Sequence, residues 1–176
     1  RSPVALITGG AKRLGAATAR QLHQAGYRLV LHYRHSAEGA EALAAELNAE
    51  RPGSVVVLSA DLNQHAQVLQ LATAAVDCFG RLDVLVNNAS SFYPTPMGKV
   101  TEADWLDLFA SNAKAPFFLS QALLPALQQH KGCIINMVDI HADKPLAEHP
   151  VYCMAKAALV MMTRAPCIFA NWRAKM

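Results

Sequence analysis

Nowhere in the 176 residues does an apolar run approach the roughly 18 that a membrane-spanning helix needs, so no membrane span is expected. The opening RSPVALITGG has no long apolar region behind Arg1 and no small-residue cleavage pattern, so no secretory leader is read there. It also lacks an initiator Met, and the expectation is a missing or trimmed N-terminus. The four cysteines, Cys78, Cys133, Cys153 and Cys167, form no C-x-x-C pair, and the histidines are scattered. Free thiols in a cytoplasmic protein are the plain reading, over a metal or disulfide framework, and no metal site is expected. Internal repeats and dividing linkers are absent too, so the length reads as a single domain. A net charge of +3 is too mild to argue for a nucleic-acid partner.

One local absence says more. Before Glu38 the chain holds Arg1, Lys12, Arg13, Arg20, Arg28 and Arg34 and no acid at all. A basic first lobe suits an anionic ligand; the alternative is a solvated basic face. The hydrophobic share of 53% excludes a disordered chain. It is arranged as short β-type runs alternating with longer helical stretches. Strands are expected at 4–8, 29–33, 55–60, 83–88 and 133–138. Helices are expected at 12–26, 36–48, 64–79, from the capping-box pattern at Thr101 to Asp104, at 113–129 and at 151–164. Strands apolar on both faces and separated by helices predict a parallel, doubly wound Rossmann-like sheet in three αβα layers.

TGGAKRLG (8–15) falls between the first strand and the first helix, where helix N-terminal N–H groups attract the pyrophosphate of a dinucleotide. Gly9 and Gly10 allow a tight turn and close approach, and Gly15 lets the helix lie near the sheet. An ordinary strand–helix turn is the other reading. At the end of the second strand, HYRHS (32–36) has no acid to hold a ribose 2′-OH. Arg34, His35 and Ser36, with nearby Arg13, instead suit a 2′-phosphate, which points to NADPH.

Tyr152 and Lys156 stand at i and i+4 on one predicted helix and so share a face. The ammonium is expected to pull the phenol's pKa down, making the pair a proton mover beside a hydride donor. Asp139, thirteen residues before Tyr152, closes the fifth strand, on the side of the sheet where α/β proteins bind ligands. A surface carboxylate is the alternative.

These motifs, in this order, resemble those of the short-chain dehydrogenase/reductases, and among them most of all the pteridine reductases, from about Val4 to Arg164. Thr8, Gly9 and Gly15 match the TGxxxGxG fingerprint; Arg13 stands where the middle Gly is usual, as in pteridine reductases. Asn87, Asn88 and Ala89 match NNAG, with Ser90 for Gly. The resemblance implies coenzyme contacts at Gly9, Lys12, Arg13, Leu14, Gly15, Tyr33, Arg34, His35, Ser36, Asp61, Leu62, Asn88, Ala89 and Ser90. Asp61 reads alternatively as a helix cap. Asn112 in SNAKAPFFL resembles the Asn of the Asn–Tyr–Lys relay; a buried polar residue fixing a bend beside Pro116 is compatible.

Asp139 replaces the usual Ser, again as in pteridine reductases. NNASSFYPTP (87–96) is similar to their substrate loop nearly residue for residue. Phe92 would stack on a pterin, Ser90 would bond the pterin or a coenzyme phosphate, and Tyr93 would cover the mouth; core packing is the alternative for both rings. The implied catalytic set is Asp139, Tyr152, Lys156 and Asn112, and the implied substrate contacts are Ser90, Phe92, Asp139 and Tyr152. The implied activity is NADPH-dependent reduction of a pterin or folate by a homo-oligomer, usually a tetramer.

Two other readings stand beside it: an NADPH-dependent carbonyl reductase, and a non-catalytic NADP(H)-binding isoform or subunit partner. The domain is expected to run over 1–164. Residues 165–176 diverge from the family pattern, without its last strands. They read either as an irregular tail packing Ile168, Phe169 and Trp172 on the core or as a frameshifted or alternatively spliced end.

Overall fold

A computed structural model describes residues 2–164; the readings of 165–176, and of strands beyond the fifth, lie outside the described residues. Five parallel strands form one sheet in the order β3-β2-β1-β4-β5: β1 (Val4–Ile7), β2 (Arg28–Tyr33), β3 (Val55–Ser59), β4 (Val84–Asn87) and β5 (Cys133–Asn136). The doubly wound three-layer fold expected from the sequence is therefore present.

Side-chain alternation explains the two covered faces. Val4, Leu6, Val30, Leu85 and Ile134 face α3 (His65–Asp77) and α5 (Ala115–Gln129), packing with Leu71, Leu119 and Leu123. Ala5, Ile7, Leu29, Leu31, Val84 and Val86 face the other way, onto α1 (Arg13–Gln24) and α2 (Ala37–Glu50), with Ala19, Leu43 and Leu47. All four β1 residues are fully buried, as the central strand requires. Among the described residues, no helix is long and apolar enough to cross a membrane.

Chain order reverses at β1. The first two crossovers step outward to β3, and β4 then returns to β1's other side. The C-terminal ends of β1 and β4 thus form the crevice where open α/β sheets bind ligands. Strands β1, β3, β4 and β5 all stop one or two residues before the sequence reading placed their ends. Thr8 and Asn88, freed from the ladder, bond across the crevice instead.

The region after β4 differs more. A separate helix was expected from 113, but α4 (Glu102–Phe109) runs through a π-helical turn at Ala110–Lys114 straight into α5. Pro116 is the physical reason. It has no N–H to give the carbonyl four residues back, and its ring would clash there, so the helix widens rather than stops. The last helix, α6 (Pro150–Arg164), starts on a proline, whose missing N–H falls in the first turn where no partner exists anyway.

Thr101 and Asp104 form the expected capping box: the Thr101 hydroxyl accepts from the Asp104 N–H, and the Asp104 carboxylate accepts from the Thr101 N–H. Thr101→Ala removes the acceptor and is expected to cost about 1 kcal/mol of stability, read from a urea or guanidinium midpoint with unchanged slope.

Candidate active site

Thr8 joins the two strand ends. Its Oγ1 accepts N–H bonds from Asn88 and Ala89, both at 3.0 Å, while the Asn88 side-chain amide donates to the carbonyls of Thr8 (2.9 Å) and Gly9 (3.0 Å). The Asn88 head is thereby occupied in shaping the glycine turn, and its part in any ligand site is to hold that turn.

The turn has no room for side chains. Gly9 lies at φ +62°, and a Cβ on it would come 3.0 Å from the Ala89 Cα. A Cβ on Gly15 would collide with the Gly9 carbonyl oxygen. Arg13 takes φ +50° at the place of the middle glycine of the TGxxxGxG pattern. For a side-chain-bearing residue that conformation costs roughly 1–2 kcal/mol, so its surroundings must enforce it. The first-turn N–H groups of α1 have no intrahelical acceptor, which makes this a cradle fitted to a dinucleotide phosphate. Lys12, Arg13 and Leu14 are exposed at its rim.

At the end of β2, Tyr33 is half-buried and His35 is exposed, while Ser36 precedes α2 without a side-chain capping bond. Arg34 is exposed as well. Its guanidinium pairs with Asp61 at 3.0 Å and approaches Asp107 at 3.5 Å, because those carboxylates are the nearest anions. Asp61 does not cap α3: its Oδ1 accepts the Asn63 N–H two residues on, and its own N–H goes to the Gln67 side chain. Leu62 turns into the core.

At the other end of the crevice, the Tyr152 hydroxyl donates to Asp139 Oδ2 at 2.7 Å. The other carboxylate oxygen of Asp139 accepts the His141 N–H at 2.9 Å. Lys156 is buried, donates to the Met137 carbonyl at 2.9 Å, and lies 5.7 Å from the centre of the Tyr152 ring. The expected fall in the tyrosine pKa is overturned. Burial raises it, the Asp139 hydrogen bond and charge raise it further, and a bond from Ser90 opposes them only in part. The phenol therefore stays protonated well above neutrality. Burial pushes Asp139 up as well, but the His141 N–H, the Tyr152 hydroxyl and the His141 and Lys156 charges outweigh it and hold the carboxyl below its ordinary value. Burial lowers the Lys156 pKa against the pull of Asp139.

Asn112 is fully buried inside the π turn. Its amide donates to the carbonyls of Ser91 (2.9 Å) and Leu108 (3.0 Å), and its Oδ1 accepts the Ser90 hydroxyl at 2.7 Å. Bend-fixing and contact with the site therefore coexist. Phe92 is not core: it is 55% exposed, edge-to-face with Tyr152, and stacked on His149 at 4.8 Å. Tyr93 packs beside Leu108 and Val151, and burial, with the Asp107 charge and hydrogen bond, pushes it up to about 12.

Three site residues escaped the sequence reading. His32 is buried between Gly9 and Ala60; the signal was a lone imidazole in an apolar strand. Asp107 collects bonds from Asn63, Ser91 and Tyr93, and no local motif marks it. His149 stacks on Phe92 from a loop.

A family model described as short chain dehydrogenase matches residues 3–167. The chain belongs to the short-chain dehydrogenase family. That family consists of oxidoreductases using NAD(P)H. Pteridine reductase 1 of Leishmania tarentolae is 42% identical over a 202-residue alignment covering 93% of this chain and 70% of that protein. D-threitol dehydrogenase of Mycolicibacterium smegmatis is 35% identical, over 96% of this chain and 64% of that protein. A 3-oxoacyl-[acyl-carrier-protein] reductase of Staphylococcus epidermidis is 30% identical, over 91% and 66%. The chain thus spans about two thirds of the length of these relatives.

Because folding lowers the Asp139 pKa, its contribution to stability is present above the ordinary carboxylate range and is lost as pH falls through the lowered value. Tyr152→Phe removes one hydrogen bond that favours the ionised form. A carbon-13 carboxyl titration by NMR is expected to show Asp139 titrating at higher pH in that variant than in wild type. An unchanged titration would mean the 2.7 Å bond is not made in solution.

Proposed function

We propose that this chain is an NADPH-dependent reductase of pteridines, a dihydropterin or biopterin-like pterin and by extension dihydrofolate. The observation that carries the reading is the hydrogen bond from Tyr152 to Asp139 beneath the exposed ring of Phe92. A carbonyl substrate needs one proton donor at its oxygen. A pterin needs a proton at a ring nitrogen, an acceptor for its own N–H groups, and a flat surface for its rings; Tyr152, Asp139 and Phe92 are of those three kinds.

When bound, the coenzyme supplies hydride to a ring carbon. Tyr152, kept protonated by burial and by Asp139, gives its proton to the adjoining nitrogen, so that the C=N bond becomes CH–NH. Asp139 orients the hydroxyl before that step. The Lys156 ammonium, held against Met137, favours the phenolate that follows, which then returns to phenol by proton uptake from water. Asn112 fixes Ser90 at the pocket's inner edge. Offset stacking on Phe92 contributes on the order of 0.5–1.5 kcal/mol to holding a flat substrate.

For coenzyme choice, the support is the acid-free stretch from Tyr33 to Ser36 and the exposed cations Arg13 and Arg34. A homo-oligomer fits the exposed apolar side chains Trp105 and Leu106 on α4 and Met154 and Met161 on α6. The relatives that act on a polyol and an oxoacyl group favour a second reading, reduction of carbonyl compounds.

Catalytic amounts of the protein are expected to consume NADPH with dihydrobiopterin, and Tyr152→Phe to lower kcat/KM by roughly 10²–10⁴-fold. Asp139→Ser is expected to depress pterin reduction more than carbonyl reduction. Equal losses on both substrates count for the carbonyl reading. Binding of NADPH with no turnover on any pterin, ketone or quinone leaves a non-catalytic NADP(H)-binding protein.

A further inference from the structure

We infer that His32 is a positioning residue for the coenzyme phosphate cradle, holding the glycine turn from the β2 side as Asn88 holds it from β4; the inference rests on the dinucleotide reading of that turn. The imidazole is buried, 1% exposed, in a strand whose neighbours Leu29, Val30 and Leu31 are apolar. A purely structural role in such a strand would be filled by a Val or Leu with no desolvation cost, so a buried imidazole needs partners that repay its burial.

Both ring nitrogens have one. Nδ1 lies 3.2 Å from the Gly9 N–H, and Nε2 lies 2.9 Å from the Ala60 carbonyl. A carbonyl only accepts and a backbone N–H only donates. The hydrogen must therefore sit on Nε2 and Nδ1 must be bare, so one neutral tautomer satisfies the site. Burial lowers the ring's pKa and keeps it in that neutral form.

The same residue also acts through its backbone, since the His32 carbonyl accepts the Gly10 N–H at 3.0 Å. Two consecutive glycine N–H groups are thus turned back onto one residue of β2. On the opposite side, the Asn88 amide takes the Thr8 and Gly9 carbonyls. Between these two clamps the turn has a single shape, with Gly9 at φ +62° and Arg13 held at φ +50°. With the N–H groups of Gly9 and Gly10 committed to the sheet, a phosphate must draw on donors further along the chain, those of the first turn of α1 among them. His32 thereby sets which amides the ligand meets, without touching it.

The two ring contacts can be separated by substitution. In His32→Asn the amide oxygen stands near the Nδ1 position and keeps an acceptor for Gly9. In His32→Gln the longer side chain reaches Ala60 and leaves the Gly9 N–H bare. Titrating the 176-residue chain with NADPH, followed by nicotinamide fluorescence, is expected to show the Asn variant within about threefold of wild type and the Gln variant roughly tenfold weaker. Nitrogen-15 NMR of the ligand-free wild-type protein is expected to show a bare Nδ1 and a protonated Nε2 on His32, a readout that needs no variant to fold.

Equal affinity in all three proteins, or a hydrogen on Nδ1 in the free protein, overturns the inference. If wild type binds no dinucleotide at all, the coenzyme reading fails and takes this inference with it. That result is distinct from binding that ignores His32.

Discussion

The structure depends most on the knot of hydrogen bonds around Thr8. The ladder between β1 and β4 ends at Ile7 and Val86, and beyond that point nothing in a parallel sheet holds two diverging chains together. Thr8 Oγ1 and the Asn88 amide close the gap with four bonds of 2.9–3.0 Å. Because Thr8 is buried, losing one partner would strand a polar group at a cost of roughly 1–3 kcal/mol, more than a typical net hydrogen bond contributes. The knot therefore both seals the sheet and fixes the path of the chain into the glycine turn. Residues on the two lips of the crevice, Gly9 to Gly15 on one and Ala89 to Phe92 on the other, take their positions from it.

From that knot the crevice runs between two electrostatic regimes. One end presents exposed cations, Lys12, Arg13 and Arg34, around helix-terminal N–H groups. The other presents a buried phenol, a carboxylate and a buried ammonium within reach of one another. Reading the YxxxK spacing alone gives the lysine control over the tyrosine. The folded chain gives it to the aspartate, because Tyr152 is bonded to Asp139 directly while Lys156 is turned to Met137. The consequence is chemical. A phenol held protonated is a proton donor, which on the proposed reading serves reduction of a C=N bond, whereas a phenolate would suit the reverse, oxidative direction.

The parts legible in the sequence were those set by local pattern. Short runs apolar on both faces, separated by helical stretches, pointed to the sheet, the glycine turn announced itself by its place between strand and helix, and Thr101 with Asp104 announced a helix start. What stayed hidden depends on partners distant along the chain. His32 looked like one more strand residue until Gly9 and Ala60, 23 and 28 residues away, were brought to its two nitrogens. Asp107 carries no motif, and its role comes from Asn63, 44 residues upstream, meeting it across the crevice. The π turn at Ala110–Lys114 was hidden for another reason. Pro116 reads as a break, and the local pattern does not tell a helix that stops from one that widens, as this one does.

Arg34 raises a question of competition that magnitudes can decide. Its guanidinium is engaged by Asp61 and Asp107, with side-chain exposures of 38%, 27% and 23%. Ion pairs this open to water are worth about 0–1 kcal/mol. A phosphate dianion matches the guanidinium fork as a carboxylate does and offers it more charge. On the NADPH reading, the carboxylates therefore restrain Arg34 near the β2 end at little energetic cost, and a 2′-phosphate draws it away. A 2′-hydroxyl, uncharged, offers too little to break the pair and would have to be met by Asp61 with Arg34 still attached. The pairing seen here thus works slightly against the phosphorylated coenzyme, by no more than about 0–1 kcal/mol for an open ion pair, a cost that the phosphate's charge has to outweigh.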